Sequence, residues 1–111
     1  MIEIIVKNYL TKLLDIPVVF EHQKNLPKRY IILEKIGGSK ENFLNSSTIA
    51  IQSYAESLYE AAKLNEKVKQ LMNDLIKVEE ISKVKLNSDY NFTDTETRKY
   101  RYQAVFNINY Y

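Results

Sequence analysis

The chain of 111 residues has no cysteine and no tryptophan, and it has only one histidine, two glycines and two prolines. Without cysteine it can form neither a disulfide nor a thiolate metal site, which is compatible with a cytosolic life and with many other compartments. No segment approaches the roughly 20 apolar residues that a bilayer-spanning helix needs. Glu3 and Lys7 interrupt the apolar start before a signal-peptide core could form, so we expect no secretion by that route.

The composition is that of an ordinary globular domain. Hydrophobic residues make up 45% and charged residues 27% of the chain, which argues against disorder and against a membrane protein. The length suits one core of two layers, so we expect a single domain over residues 1–111. The net charge is only +2, and the basic residues are dispersed among acidic ones. A nucleic-acid-binding protein usually concentrates its basic residues in a stripe.

Few residues could support catalysis or metal binding. His22 follows Glu21 and lies close to Asp15 in sequence, but a catalytic metal usually needs about three protein ligands, and here most would have to be carboxylates. Gly37 and Gly38 follow an apparent strand without the spacing of a phosphate-binding loop, and we interpret them as a turn. We therefore expect no enzymatic activity, no cofactor and no metal.

Two segments have helical spacing. Apolar residues recur at helical intervals from Ile2 to Leu14, and Pro17 cannot continue that helix. The β-branched run from Thr48 changes near Ala55 to helical spacing, which continues to about Leu75. A strand leading directly into a long amphipathic helix predicts a helix packed on a sheet.

Other segments alternate like strands. We predict a short extended piece at residues 18–21, a strand over residues 29–36 that ends at the two glycines, and a polar loop over residues 39–46. Residues 84–92 and 102–110 alternate at period two around a turn at residues 93–97, which predicts a hairpin. The fold class is therefore α+β, an antiparallel or mixed β-sheet with two helices packed on one face and a polar opposite face.

We expect the final strand to lie open at an edge of the sheet, without apparent protection. Residues 105–111 contain no proline and no charged residue, although Lys83, Lys85 and Arg101 could lie near enough to discourage pairing with other chains. A neighbouring subunit covering this edge is the other interpretation. Nine tyrosines fit an interface, but tyrosine is also common in strands.

The order of segments resembles a known family. PVVFEHQKNLPKRYIILEKIGG, STIAIQSYAESLYEAAKLNEKVKQLM and the closing RYQAVFNINYY look like segments of the tail terminator, or tail-completion, proteins of long-tailed bacteriophages. The resemblance spans nearly the whole chain. It rests on the helix before Pro17, the strand ending at Gly37 and Gly38, the strand-to-helix segment IAIQSYAES and the final strand. Where this chain has Tyr54, many members of the family have tryptophan.

The resemblance implies a structural function without chemistry. Such proteins form a ring, expected to be a hexamer, at the head-proximal end of the tail tube, where they stop tube polymerisation and join the tail to the head or neck. Expected partners are other copies of the chain, the major tail tube protein and a head-completion or neck protein. The expected location is the virion tail after assembly in the host cytoplasm, with neither a membrane nor a specific nucleic acid as partner. Expected interface residues lie in the 39–46 loop and the final strand: Phe43, Leu44, Arg101, Gln103, Asn107 and Asn109.

Two alternatives stay open at this point. The chain could be another neck component, such as a head-closure or minor capsid protein. It could also bind single-stranded RNA through Tyr100, Arg101 and Tyr102, but Tyr102 shares the predicted core face of its strand with Ala104, which leaves few exposed rings for stacking.

Overall fold

Two helices and five strands form in the part of the chain that the structure describes, residues 1–41 and 43–111 of a computed structural model. A 3₁₀ turn over Asp74–Lys77 follows the second helix. The elements in chain order are α1 (Ile2–Leu13), β1 (Val18–Val19), β2 (Tyr30–Glu41), β3 (Leu44–Ala55), α2 (Leu58–Asn73), β4 (Ile81–Asn91) and β5 (Tyr100–Tyr110).

The first helix confirms the predicted spacing. Ile2, Val6 and Leu10 are buried along one stripe of α1, whereas Leu13, which the same spacing places in the core, is 47% exposed. Leu13 lies in the last turn, where the chain turns toward Pro17 and β1. The predicted extended piece shortens to the two residues of β1, which pair with β2.

The strand-to-helix junction also lies where the spacing changes. β3 ends at Ala55, and Ser57 then caps α2 by accepting a hydrogen bond from the backbone N–H of Glu60 at 3.1 Å. An oxygen at this position satisfies one of the N–H groups that a helix start leaves without a partner. The buried face of α2 consists of Ala61, Asn65, Val68 and Met72.

The five strands form one mixed sheet in the order β1-β2-β3-β5-β4. β1 runs parallel to β2, and the other neighbouring pairs are antiparallel. Both helices pack on one side of this sheet, so the α+β prediction is confirmed. Across the described residues, neither helix has the length and apolar character needed to cross a membrane.

The core lies between the two helices and one side of the sheet. Tyr9 of α1 donates a hydrogen bond from its hydroxyl to the carbonyl oxygen of Leu71 in α2 at 2.5 Å, which joins the helices directly. The strand residues buried in this core alternate with residues on the other side of the sheet. They include Ile31, Leu33, Ile49, Ile51, Ala104, Phe106 and Ile108. We call the side of the sheet opposite the helices the open face.

The prediction of a loop over residues 39–46 is wrong. β2 continues past both glycines to Glu41, and β3 begins at Leu44, so the segment forms the end of a long β-hairpin arm; Asn42 lies outside the described residues. A register shift between Lys35 and Gly37 lets the strand continue beyond Ile36. Neither glycine has a positive φ. Gly38 instead allows a close approach, because a Cβ there would lie 3.2 Å from the carbonyl oxygen of Ser46.

The final strand is not an edge strand, so the expectation of an open edge at residues 105–111 is wrong. β5 lies between β3 and β4 and pairs with both along its length. From Tyr102 to Tyr110 β5 has no charged residue and no bulge, as is typical of a strand paired on both sides within the same chain. The outer strands of the sheet are β1 and β4.

Candidate interaction surface

Four of the six predicted interface residues lie together on the open face. Arg101, Gln103, Asn107 and Asn109 occupy alternate positions of β5, so their side chains project to the same side. Each lies opposite a polar residue of β3 and forms a side-chain hydrogen bond with it. The pairs and distances are Arg101 to Tyr54 at 2.7 Å, Gln52 to Gln103 at 2.9 Å, Thr48 to Asn107 at 3.1 Å and Ser46 to Asn109 at 3.4 Å.

These hydrogen bonds give the predicted residues a role within the protomer. Gln103 is buried, and its side-chain amide also donates to the Tyr90 hydroxyl of β4 at 2.6 Å. Its polar groups are therefore already satisfied inside one chain. Asn107 and Asn109 are only half-buried and keep part of their surface accessible to a partner.

The other two predicted residues lie at the end of the β2–β3 arm. Phe43 is 90% exposed and has a φ of 67°, and Leu44 beside it is half-buried. Asn45 pairs with Tyr110, whereas Ala55 pairs with Tyr100, so the arm end lies far from Arg101 along the strands. The six residues therefore form no single patch. Phe43 nevertheless presents a large apolar group to solvent, a feature common in contact surfaces.

Two different edges of the sheet are open to pairing. β1 covers only Ile31 and Ile32 of β2, which leaves residues 33–41 without a strand on their outer side among the described residues. β4 forms the opposite edge over its whole length. Register shifts interrupt both strands, between Lys35 and Gly37 in β2 and at two places in β4. Such bulges are a common way to limit uncontrolled pairing of exposed edges.

An aromatic cluster occupies the end of the open face away from the arm. The rings of Tyr30 and Tyr54 stack with centroids 4.5 Å apart, and His22 meets the Tyr54 ring edge-on at 5.4 Å. Arg101 bonds the Tyr54 hydroxyl and also donates from Nε to the carbonyl oxygen of Phe92 at 2.6 Å. The cluster therefore joins β2, β3, β5 and the loop before β2.

Sequence reasoning missed this cluster. The abundance of tyrosine was visible, but Tyr30 and Tyr54 are far apart in the chain, and only the β2–β3 register places them opposite each other. His22 belongs to a connecting loop with no periodicity that could assign its side chain a neighbour. Once the two strands are known to be an antiparallel pair, the shared face of Tyr30 and Tyr54 is the signal that identifies the cluster.

A network of charges stands beside the cluster. Arg29, directly before β2, forms ion pairs with Glu56 and with Glu60, the latter at 2.9 Å. The hydrogen bonds from the Arg29 guanidinium lower the pKa of Glu56 from its usual 4.5 to about 2. The pKa of His22 is also lowered, first by partial burial and then by the positive charges of Lys99 and Arg101.

The depressed pKa of Glu56 predicts a pH dependence of stability. Because the folded protein holds Glu56 ionised more strongly than the unfolded chain does, this contribution is present above pH 4.5 and is lost as the pH falls toward about 2. Glu56→Gln should therefore flatten the acid limb of the free energy of unfolding, measured by urea denaturation across that interval. Because the pair is solvent-exposed, the change should be modest. The same substitution at exposed Glu79 is the control, and an unchanged acid limb in Glu56→Gln would contradict the prediction.

The carboxylates that lie near His22 in sequence do not surround it. Asp15 and Glu21 are both exposed, and the nearest polar partner of the imidazole Nε2 is the Tyr54 hydroxyl at 3.3 Å. Over residues 1–41 and 43–111, no three histidine or carboxylate side chains group in a way that could hold a metal ion. His22 thus serves as an aromatic neighbour of the two tyrosines.

No protein-family model matches the chain, and no curated protein matches it either.

Proposed function

We propose that this chain is a structural virion protein that forms a ring, most simply a hexamer, at the head-proximal end of a phage tail tube. There it ends tail polymerisation and joins the tail to the head or neck. Its partners are other copies of itself, the major tail tube protein and a head-completion protein. The order of elements that resembles tail terminator proteins supports this proposal, together with the two unlike edges of the sheet.

The unlike edges carry the proposal physically. A closed ring needs heterologous contacts, in which each subunit offers one surface to a different surface of the next. β4 and the outer side of residues 33–41 of β2 are such a pair, because they differ in sequence and lie at opposite sides of one sheet. The proposed seam therefore moves from β5, which is internal, to these two outer strands.

The open face supports the same use. Its polar side chains pair across β3 and β5, so this surface can face water without leaving a large apolar area exposed. The bulges in β2 and β4 shorten the straight stretches available for strand pairing. Side chains along the two edges should therefore contribute to the seam together with backbone hydrogen bonds.

Ile36 offers a direct test of the seam. It lies at the bulge of β2 and is 53% exposed, so Ile36→Lys should disrupt the oligomer without unfolding the protomer. Ile4 on α1 is 44% exposed and provides the matched control, and Ile4→Lys should leave the oligomer intact. Light scattering on the purified proteins, alone and with major tail tube protein, measures the outcome.

A protein that stays monomeric and never binds tube ends would refute the ring. Electron microscopy of particles made without this chain separates a tail terminator from another neck component. Tails of uncontrolled length support termination, whereas tails of normal length that fail to join heads support a head-closure function.

A further inference from the structure

A pocket of about 440 Å³ opens beside the aromatic cluster. This volume lies within the usual range for sites that bind small molecules. Its apolar lining includes Tyr30, Tyr54, Leu26 and Tyr100, which come from β2, β3, β5 and the loop before β2. Because Tyr30 and Tyr54 are stacked and nearly buried, they give the pocket a rigid wall.

Positive charge dominates the rim. Lys28, Arg98 and Lys99 line the pocket, and none of them forms an ion pair with any residue that the structure describes. Glu56 is the one carboxylate among the described lining residues, and Arg29 already neutralises it. An anion entering the pocket would therefore meet cations that form no ion pair with the described residues.

The backbone around the pocket is also unusual. Asn25 and Arg98 both line it, and both have positive φ, at 67° and 55°. Asparagine tolerates this conformation, but arginine adopts it rarely. Backbone in such sparsely populated conformations persists only where the surrounding structure holds it in place. It is found most often at active sites and ligand-binding sites.

We propose that this pocket binds a small organic anion of the nucleotide class, a flat ring that carries a phosphate. The cations of the rim would hold the phosphate. His22 and Arg98 are exposed residues of the lining, and their imidazole and guanidinium groups would offer flat surfaces for the ring. The ligand can be a free nucleotide or one nucleotide of a single strand, since both present the same ring and phosphate. This binding site does not depend on the oligomeric assembly proposed above.

The test is an NMR titration of the ¹⁵N-labelled full chain with four probes: AMP, adenosine, inorganic phosphate and a short single-stranded DNA oligomer. AMP should shift the backbone amides of His22, Lys99 and Tyr100. Adenosine and phosphate should each bind at least about tenfold more weakly, because each lacks half of the recognised chemistry. Tighter binding of the oligomer would identify the strand as the source of the nucleotide, and tighter binding of AMP would identify the free molecule.

Charge reversal locates the site. The double variant Lys28→Glu/Lys99→Glu should weaken AMP binding by about tenfold or more, and raising NaCl from about 50 mM to about 500 mM should weaken it in the wild type. Lys63→Glu/Lys67→Glu changes the net charge equally on the exposed side of α2 and should keep the affinity. All four substituted side chains are exposed, so the spectra should show the fold retained.

Failure of both AMP and the oligomer to bind would overturn the proposal. AMP binding that survives reversal at Lys28 and Lys99 would also overturn it, as would phosphate or adenosine binding as tightly as AMP.

Discussion

Replacing Phe106 with alanine is expected to remove about 3–5 kcal/mol from the free energy of unfolding. Phe106 is 1% exposed in the middle of β5, where it contacts the core between the sheet and the helices. Truncation removes buried apolar surface and leaves a cavity, because neighbours held in a paired strand can relax only partly. Since a domain of this size has a total stability of about 5–15 kcal/mol, the variant should lose a substantial fraction of it.

Phe43→Ala is the matched control for this prediction. It makes the same chemical change at a side chain that is 90% exposed, so the free energy of unfolding should change by no more than about 0.5 kcal/mol. Urea denaturation followed by circular dichroism measures both variants. Equal losses at the two positions would mean that Phe106 is not buried in the core.

Gln103→Leu is expected to have the next largest effect, a loss of about 1–3 kcal/mol. The substitution removes the acceptor for the side-chain amide of Gln52, which is buried and would lose its partner. It also removes the donor to the Tyr90 hydroxyl, but Tyr90 is 41% exposed and can bond water instead. The loss therefore arises mainly from the Gln52 amide.

The double variant Gln52→Leu/Gln103→Leu distinguishes this cause from a simple loss of packing. Removing both amides leaves neither without a partner, so the double variant should recover part of the stability that Gln103→Leu loses. The measurement is a double-mutant cycle by urea denaturation that includes Gln52→Leu alone. Strictly additive losses would show that the two side chains do not depend on each other.

Local sequence patterns predicted the secondary-structure elements that depend on residues close together in the chain. The spacing from Ile2 to Leu10 defines α1, and the change of period near Ala55 marks the end of β3. The hairpin of β4 and β5 followed from alternation on both sides of a polar turn. In each case neighbouring residues along the chain determine the structure, so a single sequence is enough.

The pairing of strands that are far apart in the sequence was harder to predict. A strand paired on both sides and a strand at a sheet edge can have the same alternation of apolar and polar residues. The pattern from Tyr102 to Tyr110 therefore could not show that β3 lies beside β5. The bulge near Gly37 likewise depends on the partner strand. The exposure of Phe43 agrees with its prediction as a contact residue, but its role in a contact stays a prediction.

The internal position of β5, between β3 and β4, has a consequence for how the protein is made. β5 is the last of the five strands to leave the ribosome, yet β3 pairs with it along its whole length. Until β5 emerges, β3 has a bare side and β4 has no neighbour in the sheet. The sheet cannot be completed without β5, and pairing over such sequence separations is slow. Folding should therefore finish only after synthesis has passed Tyr110. A nascent chain stalled before Tyr100 should remain sensitive to protease and dependent on chaperones.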